Sequence, residues 1–290
     1  MPKINAKNVS KTFSVMNEAG KAEQLLVLDN FNLQVREGEF LAVLGPSGCG
    51  KSTFLNILGG LAQQTGGEIY VDDKPADHSV HERGYVFQAY ALFPWRTVLE
   101  NVAVGLEIRG VGKQERNKIA KEYIALVGLE GFANRYPHEL SGGMKQRVAI
   151  ARVLAYQPEV LLMDEPFAAL DAQTREVLQL ELLRIWEKNN KTVIFITHSI
   201  DEAVFLADRV AVMTARPGRI KEILPIPLPR PRTEEIRNSA QFAKIRHRAW
   251  ELLKDEVLLS QEPGLAQHLT ASPKPEKSGK GEERSHDKVS

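Results

Sequence analysis

The chain has 290 residues and 43% hydrophobic content, enough for one large domain with an appendage and a packed core. Its 38 Lys and Arg residues nearly balance 37 Asp and Glu residues, which excludes the clustered basic excess of a nucleic-acid wrapper, so no nucleic-acid partner is expected. Residues 1–8 lack the apolar core of a signal peptide, and no run reaches the about 18 apolar residues of a spanning helix. The single cysteine, Cys49, rules out an internal disulfide and fits a reducing compartment, so the chain is expected in the cytoplasm unless another protein holds it at a membrane.

In chain order, residues 4–9, 25–28, 31–35 and 40–44 read as strands, with 14–23 as an exposed hairpin tip. A glycine-rich loop follows, then a helical pattern of Phe54, Leu55, Ile57, Leu58 and Leu61 that Gly66-Gly67 breaks. Residues 90–157 are helical in character and hold a capping-box spacing at Thr97 and Glu100. Strand runs at 160–163 and 192–196 flank a helical stretch over 172–189. This alternation predicts an α/β fold with a mostly parallel sheet, an N-terminal antiparallel β subdomain and an inserted α-helical subdomain. Four prolines between 225 and 231 predict an extended connector leaving a domain of residues 1–232. An amphipathic helix with Phe242, Ile245, Ala249, Leu252, Leu253 and Val257 is expected to dock back over 233–260, and residues 272–290 are expected to be disordered.

Gly45-Pro46-Ser47-Gly48-Cys49-Gly50-Lys51-Ser52-Thr53 follows an apolar strand and opens a helix, the setting a phosphate-binding loop requires. Glycines let backbone N–H groups converge on phosphates at the positive end of the helix. Lys51 can reach the β- and γ-phosphates, and the Ser52 hydroxyl can ligate Mg²⁺. These features predict ATP or a related triphosphate with Mg²⁺ as its metal. Cys49 reads as a residue placed there for its small size, not its reactivity; the alternative is a thiol that ionises more easily beside such amides.

The strand at 160–163 ends in Asp164-Glu165. A buried strand seldom ends in two carboxylates unless a cation meets them. Asp164 is the expected metal ligand, and Glu165 the group that orients or deprotonates the attacking water. The strand at 192–196 leads to His198, at the strand end where ligands of parallel sheets gather. Leu140-Ser141-Gly142-Gly143-Met144 opens another helix, with Ser141 as N-cap and two glycines leaving amides open to an anion.

Taken together, these motifs resemble the nucleotide-binding subunit of ABC transporters over about residues 4–232. They stand in that family's order: Walker A at 45–52, Gln88 of the Q-loop, the signature at 140–144, Walker B with Glu165, the D-loop at 169–171, and the switch His198. The resemblance implies a P-loop NTPase core and a head-to-tail homodimer, with each ATP between one Walker A and the other copy's signature. It further implies that Ser141, Gly142, Gly143, Met144 and Asp171 touch nucleotide across that dimer, and that Phe13 stacks on adenine. Gln88 is implied to act catalytically, touch Mg²⁺ and signal to the helical insert, which receives a coupling helix of an integral membrane permease. Met144 departs from the usual glutamine but spares the serine and glycines.

Residues 91–95 (ALFPW), 216–220 (RPGRI) and 228–232 (LPRPR), with the Met-containing signature, resemble the nitrate/sulfonate/taurine importer subfamily. That implies a peripheral position on the cytoplasmic face of the inner membrane and, indirectly, a periplasmic or extracellular solute-binding protein. The Arg-Pro pairs themselves read as turn and packing residues. The rival readings are a soluble ABC-type ATPase of repair or translation and a cassette of an export or lipid-trafficking system. Against the first stand the absence of sustained heptads between Gln88 and Ser141 and the presence of one cassette, not two.

Overall fold

The fold is described from a computed structural model, for residues 2–16, 20–77, 82–168 and 170–261. β3 (Phe40–Leu44), β7 (Val160–Asp164) and β8 (Thr192–Thr197) are short apolar runs, buried almost throughout. Strands apolar on both faces need cover on both. They form the middle of a six-stranded sheet of order β10-β9-β3-β8-β7-β6, with β6 at Arg83–Val86, β9 at Arg209–Met213 and β10 at Ile220–Pro225. All neighbours run parallel except β10, which pairs antiparallel with β9.

Side-chain alternation along β3 divides the interior. Phe40, Ala42 and Leu44 join a core with the larger set of helices, whereas Leu41 and Val43 face Phe54, Leu55 and Leu58 of α1 (Lys51–Leu58) and the N-terminal strands. Those strands, β1 (Pro2–Met16), β2 (Ala22–Arg36), β4 (Gly66–Val71) and β5 (Lys74–Pro75), form an antiparallel sheet of order β2-β1-β4-β5. The α/β architecture is the expected one.

Several local expectations need correction. The runs at 25–28 and 31–35 are one strand, bent but not ended at Asn30, which adopts φ 48. The hairpin tip is narrower than 14–23, because β1 continues to Met16 and β2 begins at Ala22; residues 17–19 lie outside the described residues. α1 stops at Leu58 with Gly59 as C-cap, leaving Leu61 exposed. Gly66-Gly67 then open β4, where a Cβ on Gly67 would lie 2.2 Å from the Asn8 carbonyl oxygen. That close approach of two backbones is what needs glycine there.

α2 (Val98–Ile108), α3 (Lys113–Leu126) and α4 (Gly142–Ala155) make up the helical part of residues 90–157. The capping box opening α2 is formed: the Glu100 N–H donates to Thr97 Oγ1 (3.3 Å), and the Thr97 N–H donates to Glu100 Oε2 (2.8 Å). That backbone bond holds the Glu100 carboxyl below its ordinary range. α5 (Ala172–Asn189) matches its predicted span, and α6 (Ile200–Leu206) follows β8.

The proline-rich connector does not leave the core. Ile226 and Leu228 are buried in it, the Arg230 guanidinium lies 4.2 Å from the Trp186 ring, and Arg232 donates to the Val204 and Ala207 carbonyls. Burial, with Arg230 nearby, brings the Arg232 pKa down to about 10. After α7 (Glu234–Arg237), α8 (Ala240–Gln261) docks on α6 and β9 through Phe242, Ala249, Leu252 and Leu253. The tail at 272–290 lies outside the described residues. Among the described residues no helix is long and apolar enough to cross a membrane.

Candidate functional site

Strand register alone assembles the site. Leu44 pairs with Thr197, Ile196 with Asp164, and Met163 with Val86. The segments that leave these strands therefore emerge side by side on one edge of the sheet: the loop from Gly45, then His198, then Glu165, then Phe87-Gln88. This carboxyl edge is where parallel sheets bind ligands.

The loop is shaped for an anion. Gly48 and Gly50 adopt φ 74 and φ 108, and a Cβ on Gly50 would lie 2.8 Å from Leu28 Cδ2. α1 begins without a side-chain cap, so its first N–H groups face the loop's cavity. Lys51 is buried, and its ammonium donates to the carbonyls of Gly45 (2.8 Å) and Pro46 (2.9 Å), a position close to any phosphate the loop would hold.

Cys49 is buried, in keeping with its reading as a small residue and against the reactive alternative. Burial raises its thiol pKa and outweighs the opposing charges of Lys51 and Arg216. A thiolate-directed alkylating reagent at neutral pH is expected to label the native chain at least ~10-fold more slowly than the chain unfolded in denaturant. Equal labelling rates, followed by mass spectrometry, would show an accessible thiolate.

At the end of β7, Ser52 Oγ donates to Asp164 Oδ1 (2.9 Å), which brings a loop hydroxyl and a strand carboxylate together. Burial raises the Asp164 pKa and Glu165 adds to the effect, while the Ser52 bond and Lys51 oppose it. A carboxyl with a raised folded-state pKa costs stability once ionised: the loss builds as pH rises from the ordinary carboxylate value through the raised one and persists at neutral pH. Asp164→Asn is therefore expected to leave the nucleotide-free Tm unchanged or raise it by about 1–3 °C at pH 7. A fall beyond ~5 °C in scanning calorimetry would mean that the carboxylate is a structural support.

Glu165 sits at φ 43, its N–H bonded to the Ile196 carbonyl at 3.0 Å. Left-handed backbone at a non-glycine residue costs on the order of 1–3 kcal/mol and persists where its surroundings enforce it. Here it turns the carboxylate off the strand towards Lys51 (4.0 Å) and His198 Nδ1 (3.0 Å).

Two supporting residues escaped sequence reasoning. Glu202, 6% exposed, accepts the Thr197 hydroxyl (2.5 Å) and Gln179 Nε2 (3.2 Å) behind His198, and burial raises its pKa. The Ser199-x-x-Glu202 spacing is a helix-start signal, with Ser199 Oγ accepting the Glu202 N–H (3.3 Å), but it says nothing of the side chain, which turns to Thr197. Arg152 donates to the carbonyls of Tyr90 (3.0 Å) and Ala91 (2.6 Å), which adopt φ 58 and φ 48 just after the exposed Gln88. It fixes this turn from beneath.

The remaining predicted residues lie elsewhere in the chain. Ser141 caps α4 by accepting the Met144 N–H (3.3 Å). Asp171 caps α5 by accepting the Thr174 N–H (2.9 Å), which keeps its carboxyl below the usual range. A Cβ on Gly143 would lie 2.6 Å from Thr174 Cγ2, and one on Gly142 3.2 Å from the Tyr90 hydroxyl. The signature thus packs on α5 and Tyr90, and the bonds of Ser141 and Asp171 cap helices and do not run to the 45–52 loop. Phe13 is half-exposed on β1, two residues from Lys11, whose partner Leu28 abuts Gly50. The Lys11 ammonium stands 4.8 Å from its ring.

Comparison with known proteins places this geometry. The ABC transporter family matches residues 28–168. The chain is 57% identical over 258 residues, 89% of its length and 94% of the relative's, to an uncharacterized ABC transporter ATP-binding protein of Methanocaldococcus jannaschii. It is 46% identical over 243 residues, 84% of its length and 92% of the relative's, to the aliphatic sulfonates import ATP-binding protein SsuB of Bacillus cereus. Among solved structures it is similar to a dimeric bacterial ABC transporter cassette, with TM-score 0.69 and 38% identity over 77% of this chain and 98% of that one. The ADP- and Pi-bound post-hydrolysis state of that cassette is matched with TM-score 0.68 and 38% identity over the same shares of the two chains. The chain belongs to the ABC transporter ATP-binding proteins and is an ATPase cassette.

Proposed function

We propose that the chain drives an importer of a small solute such as nitrate, an alkanesulfonate or taurine, working as a homodimer on the cytoplasmic face of a separate permease. The observation that carries the ATPase part is the register of β3, β8, β7 and β6, which lines up Lys51, His198, Asp164, Glu165 and Gln88 on one edge. Gly45, Pro46, Ser47, Gly48, Cys49, Gly50 and Thr53 shape the phosphate cradle, and Lys51 exchanges its loop carbonyls for phosphate oxygens. Ser52 Oγ and Asp164 Oδ1, 2.9 Å apart, form an all-oxygen donor pair that fits Mg²⁺, with Gln88 completing it. When bound, that ion would draw charge off the phosphate oxygens.

Glu165 accepts a proton from, or orients, the attacking water, and His198 holds the Glu165 carboxylate in place. The helix start at Ser141, Gly142, Gly143 and Met144 faces the second copy's ATP. Asp171 and Phe13 complete the nucleotide contacts, Phe13 through its exposed ring.

An apolar groove of about 580 Å³ between β6, α2 and α4, lined by Tyr85, Phe87, Phe93, Ile108 and Tyr156, fits the coupling helix of the permease. Arg152 crosses from this groove to the Tyr90 and Ala91 carbonyls and so links it to the Q-loop. Likeness to the sulfonate import protein supports import of such a solute. Uptake of labelled taurine, alkanesulfonate and nitrate by cells lacking the gene tests the assignment. Loss of uptake of one of them, restored by the wild-type gene and not by Glu165→Gln, is expected; unchanged uptake of all three would defeat the proposal.

A further inference from the structure

The Arg216-Pro217 pair reads from sequence as turn and packing residues, yet the segment 214–219 that holds it grips the phosphate loop from outside. Arg216 donates twice to the Gly48 carbonyl, from Nε (3.1 Å) and Nη2 (3.0 Å). Gly218 packs so closely that a Cβ there would lie 2.1 Å from the Cys49 carbonyl oxygen. The turn is itself rigidly held. Gly218 exchanges backbone bonds with Val27 and Asp29 (2.8 and 3.2 Å), Arg219 pairs with Asp29, and the Thr214 hydroxyl donates to the Pro217 carbonyl (3.0 Å).

The root of this turn is tied to the C-terminal helix. Glu256 on α8, 7% exposed, accepts the Ala215 N–H (2.8 Å) and the Lys221 ammonium (2.7 Å). A continuous chain of bonds therefore runs from α8 through Ala215-Arg216 to Gly48.

We propose that Arg216 is a positioning residue of the phosphate loop, and that Glu256 sets the turn carrying it, so that α8 tunes nucleotide affinity. In a planar trans peptide the carbonyl of one residue and the N–H of the next point in opposite directions. Pinning the Gly48 carbonyl outward therefore aims the Cys49 N–H into the loop, where it now donates weakly to the Pro46 carbonyl (3.5 Å) and is ready for a phosphate oxygen. Lys51 must leave the Gly45 and Pro46 carbonyls to meet the nucleotide, but Arg216 holds a different carbonyl and stays. The loop thus keeps one fixed peptide while the lysine moves. The inference rests on reading residues 45–52 as the phosphate site.

Titration of the full chain with a fluorescent ATP analogue, together with steady-state ATPase kinetics, tests it. Arg216→Ala is expected to raise Kd and KM about 5- to 10-fold, the size of one ordinary net hydrogen bond, while kcat at saturating ATP stays within ~2-fold. Arg216→Lys should recover Kd to within ~3-fold of wild type, because an ammonium can hold the same carbonyl. Glu256→Gln, which keeps an acceptor but loses the Lys221 charge pair, is expected to raise Kd about 2- to 4-fold. The double variant should bind no more weakly than Arg216→Ala alone, as residues in one chain of bonds are non-additive. An unchanged Kd for Arg216→Ala beside a weakened Lys51→Ala would overturn the inference and leave the phosphate site standing. Unchanged binding in both would remove the site itself. Independent, multiplicative effects of the two substitutions would sever α8 from the loop.

Discussion

Glu165→Gln is expected to bind ATP with near wild-type affinity and to release phosphate about 10³-fold more slowly, the range general-base removal spans. The amide has nearly the shape of the carboxylate but cannot take a proton. The left-handed turn at Glu165 should survive, because the bond from its N–H to the Ile196 carbonyl does not involve the side chain. The His198 contact at 3.0 Å is retained as a neutral hydrogen bond. With hydrolysis blocked, ATP accumulates at the interface, and the variant should run as a dimer with ATP and as a monomer with ADP in light scattering. Phosphate release within ~3-fold of wild type would mean that another group activates the water.

Lys51→Ala is the second large effect. The ammonium is buried and, among the described residues, bonds to the Gly45 and Pro46 carbonyls, at 2.8 and 2.9 Å, with Glu165 at 4.0 Å. Against phosphates it makes charge-assisted bonds worth about 3 kcal/mol together, so binding of the fluorescent analogue should weaken on the order of 100-fold. The fold should persist, because the carbonyls it leaves lie in a loop that water can reach once the side chain is cut back. An unchanged affinity would take the lysine away from the phosphates.

How much of this could be read from the sequence follows from what each feature depends on. The strands at 40–44, 160–163 and 192–196 and the helix at 172–189 were visible because unbroken apolar runs and caps are local properties. The phosphate loop, the acid pair and His198 were legible because each follows such a run directly. β6, β9 and β10 went unread. β6 is four residues long and includes Gly84, where a Cβ would lie 2.3 Å from Val153 Cγ1; its strand character comes from packing under α4. β10 gains its strand character from pairing at the sheet edge, whereas β9 is a buried apolar run only five residues long between β10 and β3.

The proline connector misled because Pro227, Pro229 and Pro231 do forbid regular structure, Pro225 being the last residue of β10. The buried Ile226 and Leu228 between them nonetheless bind it to the core. Arg152, Glu202 and Arg216 were beyond reach for one common reason. Each acts on the backbone or side chain of a distant segment, and only the fold brings the two together. For Cys49 the proximity to amides was visible in the sequence, but the burial that decides between the small-residue and the reactive reading was not.

The central claim is that the loop of Lys51 and Ser52 and the acids of β7 close around the terminal phosphate of a single nucleotide. Diffraction from crystals grown with Mn²⁺ and a non-hydrolysable ATP analogue, collected at the manganese edge, tests it directly. One anomalous peak beside both Ser52 Oγ and Asp164, with Lys51 Nζ on the β- and γ-phosphates and Glu165 facing the γ-phosphate, is the predicted result. A peak elsewhere, or a triphosphate bound away from the Gly45–Ser52 loop, would contradict it.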